Sequence, residues 1–256
     1  MGRLDGKVVV VTGSTRGIGR GIALLCGREG ARVVIAGRNE EEGRQVVKEL
    51  ADGGYGEAIF IQTDVRKVEE CERLIEAAVE QFGRIDGLVN NAGIFPNYTI
   101  EETTEEILDE VYAINFKGAF FCTKYAINEM KKVGGGSIVN IGSTHAFGGN
   151  EDLTAYACSK GALHTLTRHV SKNQARFQIR ANWITVGWVA TPGEISLRIS
   201  QGRDLGWLEQ QARERTPMGR LQTEEDIALS AVFLLSDESS QVTGVDLNVT
   251  GGFTPY

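Results

Sequence analysis

The sequence predicts a three-layer α/β fold: a doubly wound parallel sheet of about seven strands with helices on both faces. Two observations carry this. Short β-branched runs alternate with longer helical patterns along the chain, and several runs are apolar on both faces, as strands buried beneath two helical layers must be.

The first run, residues 7–12 (KVVVVT), is almost uninterrupted valine. After it, Ile18, Ile22, Leu25 and Cys26 fall on one stripe of an amphipathic helix, and Gly30 supplies a left-handed stop. Residues 32–36 (RVVIA), 58–62 (AIFIQ) and 87–90 (GLVN) give the next three strands. A long helix is expected over about residues 109–130, before a fifth strand at 137–141 (SIVNI). A second long helix, 156–173, precedes a sixth strand at 179–184 (IRANWI), and 245–249 (VDLNV) closes the sheet. Residues 187 to about 220 break the rhythm with Trp188, Trp207 and a nearly balanced set of five arginines and four acids. An insertion at this place is expected to form a lid over a ligand. No linker or repeat divides the 256 residues, so one domain is expected, 1–256.

Composition narrows the function. Apolar residues make up 41% and charged residues 24%, ordinary globular values, and a net charge of −7 argues against nucleic acid or an anionic membrane as partner. Cys26, Cys71, Cys122 and Cys158 form no CxxC pair, and only three histidines occur, so no metal site is expected and the thiols read as reduced. No basic leader with an apolar stretch opens the chain, and no run approaches the ~20 apolar residues that span a bilayer; cytoplasmic residence is expected.

After the first strand comes TGSTRGIG, with Gly13, Gly17 and Gly19 spaced to bring backbone close to a pyrophosphate at a helix N-terminus. Ser14, Arg16 and Ile18 complete this cofactor turn. A carboxylate about 20 residues on would mark NAD(H). Gly37 stands there instead, followed by Arg38, whose guanidinium suits a 2′-phosphate, with Arg16 as a second cation. NADP(H) is therefore favoured, NAD(H) being the alternative.

Tyr156 and Lys160 lie four apart at the start of a helical pattern, on one face. A neighbouring ammonium is expected to pull the phenol below its ordinary pKa of about 10 and make it an acid–base catalyst. Ser143, thirteen residues upstream of Tyr156, follows the fifth strand and is placed to hydrogen-bond a substrate oxygen.

With the glycine turn, Asn90-Asn91-Ala92-Gly93, Asn115, Ser143 and Tyr156-x-x-x-Lys160, the sequence resembles the single-domain branch of the short-chain dehydrogenase/reductase family over nearly its whole length. The resemblance implies a Rossmann fold and hydride exchange between a nicotinamide cofactor and a carbonyl/alcohol pair. It implies that Asp64 and Val65 hold the adenine, and that Asn91, Ala92 and Gly93 line the cofactor. Asn115 would complete a catalytic tetrad through a water, Lys160 would also hold the nicotinamide ribose, and Val189 and Thr191 would contact the nicotinamide and nearby phosphate. It implies a homotetramer built on the two long helices. Two departures stand out: Val186-Gly187 replaces the usual Pro-Gly, and Val249-Thr250-Gly251-Gly252 replaces Val-Asp-Gly-Gly.

Thr144, His145, Phe147, Asn150 and Trp188 are candidates for the substrate pocket, His145 as a hydrogen-bond partner of a hydroxylated substrate; Trp183 and Trp207 read as packing residues. A polyol or sugar-like small molecule is the favoured substrate class, with a 3-oxoacyl thioester on an acyl carrier protein as an alternative. A non-catalytic NADP(H)-binding sensor is the other class of function, and the complete tetrad speaks against it.

Overall fold

The computed structural model describes residues 2–253. All seven expected strands are present: β1 (Val8–Thr12), β2 (Arg32–Gly37), β3 (Ala58–Gln62), β4 (Gly87–Asn90), β5 (Gly136–Ile141), β6 (Ile179–Val186) and β7 (Asp246–Val249). They pair in the order β3-β2-β1-β4-β5-β6-β7, and every pair is parallel. Chain direction across the sheet therefore reverses between β1 and β4.

Strand alternation splits the apolar residues into two cores. Val9, Val11, Val33 and Ile35 point to one face, under α1 (Gly17–Arg28), α2 (Glu40–Asp52) and α9 (Glu224–Leu235). Val8, Val10, Val34 and Leu88 point to the other, under α3 (Val68–Phe82), α5 (Ala119–Lys132) and α6 (Thr154–Gln174). At the end of α1, Gly30 takes φ +91°. That lets the Gly30 N–H reach Gly27 O at 2.9 Å and the Ala31 N–H reach Cys26 O at 3.0 Å, the two bonds of a Schellman stop.

Two elements differ from expectation. The helix expected over 109–130 is α4 (Glu105–Tyr112) running into α5 through a π-helical segment, Ala113–Gly118. β6 continues two residues past the expected end: Val186 lies opposite Val249, and the Gly187 N–H donates to Val249 O at 3.2 Å. The inserted segment then forms α7 (Pro192–Ser200), capped by Thr191, and α8 (Leu205–Arg215), capped by Asp204. Cys26, Cys71 and Cys122 are buried free thiols, while Cys158 is exposed on α6. Trp183 is fully buried, its Nε1 donating to Thr185 Oγ1 at 2.8 Å. Among the described residues no helix is long and apolar enough to cross a membrane, and no cluster of metal-ligating side chains occurs.

Candidate active site

The glycine turn lies at the carboxyl edge of β1, beside β4, where an open α/β sheet leaves a crevice. Gly13 (φ +62°) and Gly17 (φ +59°) take left-handed backbone that other residues adopt only under strain. A Cβ on Gly13 would stand 2.8 Å from Ala92 Cα, and one on Gly19 would overlap the Asn91 amide. The turn is thus pressed against the end of β4. Thr12 Oγ1 accepts the N–H groups of Asn91 (3.0 Å) and Ala92 (3.1 Å), and Asn91 Nδ2 donates to the carbonyls of Thr12 (3.0 Å) and Gly13 (2.9 Å). Asn91 consequently shapes the turn, leaving Ala92 and Gly93 at the crevice.

Ser14 is turned inward. Its hydroxyl donates to Val11 O (2.6 Å) and accepts from Ala36 N (3.0 Å), while its own N–H donates to Ala36 O (3.0 Å). Both donors are engaged, the hydroxyl with β1 and the N–H with β2, so Ser14 keeps none for a phosphate. Ile18 packs against the first core. Arg16 and Arg38 are exposed, and neither guanidinium makes an ion pair among the described residues. Asp64 is committed elsewhere: Arg66 Nε lies 2.9 Å from both of its carboxylate oxygens and holds the carboxyl below its ordinary range. Val65 is buried beneath the π-helical segment, where a Cβ on Gly118 would stand 2.7 Å from its own Cβ.

The π-helical segment carries Asn115, which is fully buried. Its Oδ1 accepts from Ile94 N (2.8 Å), and its Nδ2 donates to Ile94 O (2.8 Å) and Ser159 Oγ (3.0 Å). Ser159 in turn donates to Tyr156 O at 2.7 Å. Asn115 is thereby tied to the first turn of α6, and Gly93 lies so close that a Cβ there would be 3.3 Å from Asn115 Oδ1 and 3.7 Å from Lys160 Nζ. A π-turn at such a point re-aims one side chain without ending the helix.

Ser143, Tyr156 and Lys160 converge at the end of β5. Gly142 permits this approach, since a Cβ there would collide with the Trp183 indole. Lys160 is 4% exposed, donates to Ile141 O at 2.8 Å, and sits 5.7 Å from the Tyr156 ring centroid. Burial lowers its pKa to about 8. Tyr156 departs from the sequence expectation. Burial raises its pKa above 10, and only the hydrogen bond with Ser143 opposes that. The ammonium donates one hydrogen bond to the Ile141 carbonyl, and for the phenol desolvation outweighs its field. The phenol is therefore protonated at neutral pH.

Around Tyr156 lie Phe95, edge-on at 6.2 Å, and His145, edge-on at 6.0 Å. His145 Nδ1 is 3.3 Å from Ser143 Oγ. Thr144 is buried and Asn150 exposed. Phe147 meets the His164 ring edge-on at 5.2 Å. In the inserted segment, Trp188 Nε1 donates to Glu194 Oε1 (2.7 Å), Arg198 pairs with the same oxygen (2.7 Å), and Trp207 packs on Trp188 at 6.3 Å. Thr191 overhangs the phosphate turn, its methyl 3.8 Å from where a Cβ on Gly17 would lie. Val189 bridges to Gln222 at the base of the inserted segment. Sequence reasoning assigns no role to Thr12, Ser159, Phe95 or the Ile141 carbonyl; only Thr12, at a fixed place before Gly13, leaves a sequence signal.

A family model described as Enoyl-(Acyl carrier protein) reductase matches residues 13–254. An uncharacterized oxidoreductase of Thermotoga maritima is 41% identical over 250 residues, 98% of each chain. The NADP-dependent (R)-specific alcohol dehydrogenase of Lentilactobacillus kefiri is 36% identical over 255 residues, again 98% of each chain. The solved structure of a short-chain type dehydrogenase/reductase from Mycobacterium ulcerans matches with a TM-score of 0.90 at 30% identity, over 97% of this chain and 90% of that one.

Proposed function

The chain belongs to the short-chain dehydrogenase/reductase family, and we propose that within it the protein is an NADP(H)-dependent oxidoreductase interconverting a ketone and its secondary alcohol. The observation that carries this reading is the convergence of Ser143, Tyr156 and Lys160 at the end of β5, beside a glycine turn that could cradle a dinucleotide.

The residues present fit that cofactor. Gly13 and Gly19 keep the turn free of side chains, and the N-terminus of α1 offers N–H groups and a positive dipole end to a pyrophosphate. Arg38, exposed and without an ion pair, with Gly37 in place of an acid, supports a 2′-phosphate partner, and Arg16 is a second cation at the same turn. The name of the L. kefiri relative points the same way. Ala92, Gly93, Val65, Val189 and Thr191 border the remaining length of the crevice. Bound NADP(H) would supply or accept the hydride.

The chain's own groups would move the proton. In reduction the protonated Tyr156 phenol gives its proton to the carbonyl oxygen, and Ser143 donates a hydrogen bond to the same oxygen as charge builds on it. Lys160, cationic below about pH 8, stabilises the phenolate left behind. Asn115 holds the first turn of α6, and with it Tyr156, at a fixed distance from β4.

His145 and Asn150 are the polar side chains that would suit a polyol or sugar-like substrate. His145 directs Nδ1 at Ser143 and seals Nε2 from solvent, so Asn150 alone remains on the polar side. The Phe95 edge beside Tyr156 favours an apolar flank on the substrate. NADPH absorbance with a panel of cyclic ketones, open-chain ketones, sugars and 3-oxoacyl thioesters tests this. Tyr156→Phe should keep NADPH affinity and lose about 10²–10⁴ in turnover; near-normal turnover would refute the assignment.

A further inference from the structure

Ser143 has a single hydroxyl proton, which can hydrogen-bond the reacting oxygen only if nothing else takes it. Two groups of His145 compete for Ser143 Oγ: the backbone N–H donates to it at 3.1 Å, and the ring Nδ1 lies 3.3 Å away. The ring is held in this pose. Tyr156 meets it edge-on at 6.0 Å, and a Cβ on Gly149 would overlap its Cδ2, so glycine is needed there.

Two neutral forms of the imidazole follow. With the proton on Nε2, bare Nδ1 captures the Ser143 proton, and the Nε2–H sits sealed from solvent with no polar partner among the described residues. With the proton on Nδ1, Ser143 Oγ accepts two N–H groups and its own proton is left facing Tyr156 and the substrate. A stranded buried N–H is the rarer and costlier defect, whereas a stranded lone pair is better tolerated. We propose that His145 is a positioning residue which, as the Nδ1–H tautomer, donates to Ser143 Oγ and aims the Ser143 proton at the reacting oxygen.

A further observation agrees. Burial disfavours the imidazolium, and Asp152, which acts against this, is shared with Asn97 at 2.7 Å. His145 is therefore neutral at working pH, and it acts through Ser143 rather than on substrate.

This inference rests on the assignment of Ser143 and Tyr156 above, and its test has two arms. In the first, the cofactor-free full-length protein is labelled with ¹⁵N-histidine, and the His145 signals are identified by their loss in His145→Asn. The expected spectrum at pH 7 shows a protonated Nδ1 and a bare Nε2; an Nε2–H tautomer or an imidazolium overturns the proposal. The second arm is kinetic. Asn places an amide donor near the position of Nδ1, so His145→Asn should stay within about threefold of wild-type kcat, whereas His145→Leu should lose about tenfold, with the NADPH Kd of both unchanged. Equal kcat for the two variants, whether normal or reduced, overturns the proposal. If wild type turns over no carbonyl of the panel, the functional reading fails, and the ¹⁵N spectrum still decides the tautomer.

Discussion

Replacing Lys160 by methionine should stabilise the cofactor-free protein while disabling it. The amine is 4% exposed and, among the described residues, hydrogen-bonds Ile141 O alone, at 2.8 Å. Its pKa falls from 10.5 to about 8 on folding, which corresponds to about 3 kcal/mol of penalty on the charged form. The unfolded chain therefore holds more protons than the folded one between about pH 8 and 10.5, so this group's penalty is complete below pH 8 and relieved as pH rises through that window. Urea denaturation of wild type and Lys160→Met, at one protein concentration and several pH values from 7 to 10, isolates this contribution, because other titrating groups cancel in the difference. Methionine should be the more stable by about 2–3 kcal/mol at pH 7, and most of that gap should close by pH 10. A gap that does not change with pH would show that the amine is not desolvated in solution, and would remove the basis for its assigned role.

Three other outcomes are expected. Arg38→Ala should erase most of an at least tenfold preference in kcat/KM for NADPH over NADH, a charged contact contributing about 1.5–3 kcal/mol; a wild-type preference for NADH would refute the reading of Arg38. Ser14→Ala should cost about 1–3 kcal/mol in chemical denaturation, because it strands the buried Ala36 N–H, yet leave the NADPH Kd within about twofold; a weakened Kd with unchanged stability would return Ser14 to the phosphate. We also propose a homotetramer assembled through the helical face that exposes Leu108 and Phe120; light scattering at micromolar concentration that gives the monomer mass would exclude it.

β1 and β2 were the most legible strands because each is a short Val/Ile-rich run buried on both faces, a pattern set locally and kept by burial. The inserted segment was legible only as an interruption. Its two helices depend on capping by Thr191 and Asp204, single residues whose signal is weak among so many polar neighbours. The π-turn left no trace, since Ala-Ile-Asn-Phe-Lys-Gly reads as continuous helix until Val65 and Ile94 crowd it from other elements.

The same division runs through the site. Glycines that need left-handed backbone, and a Tyr–Lys pair one turn apart, advertise themselves by type and spacing. Environments do not. Sequence supplies the charge of Lys160 and therefore predicts a lowered Tyr156 pKa, but the desolvation that reverses the sign belongs to β5 and α6 closing over both groups. Ser14 and Asn91 teach the same point, each sitting in a cofactor motif yet spending its hydrogen bonds on holding the turn to its neighbours. A motif identifies which residues surround a ligand; which of them touch it, and in what protonation state, is decided by bonds between segments far apart in sequence. That is why the sequence offers His145 only as a partner for substrate, while the role proposed for it depends on where one proton of Ser143 points.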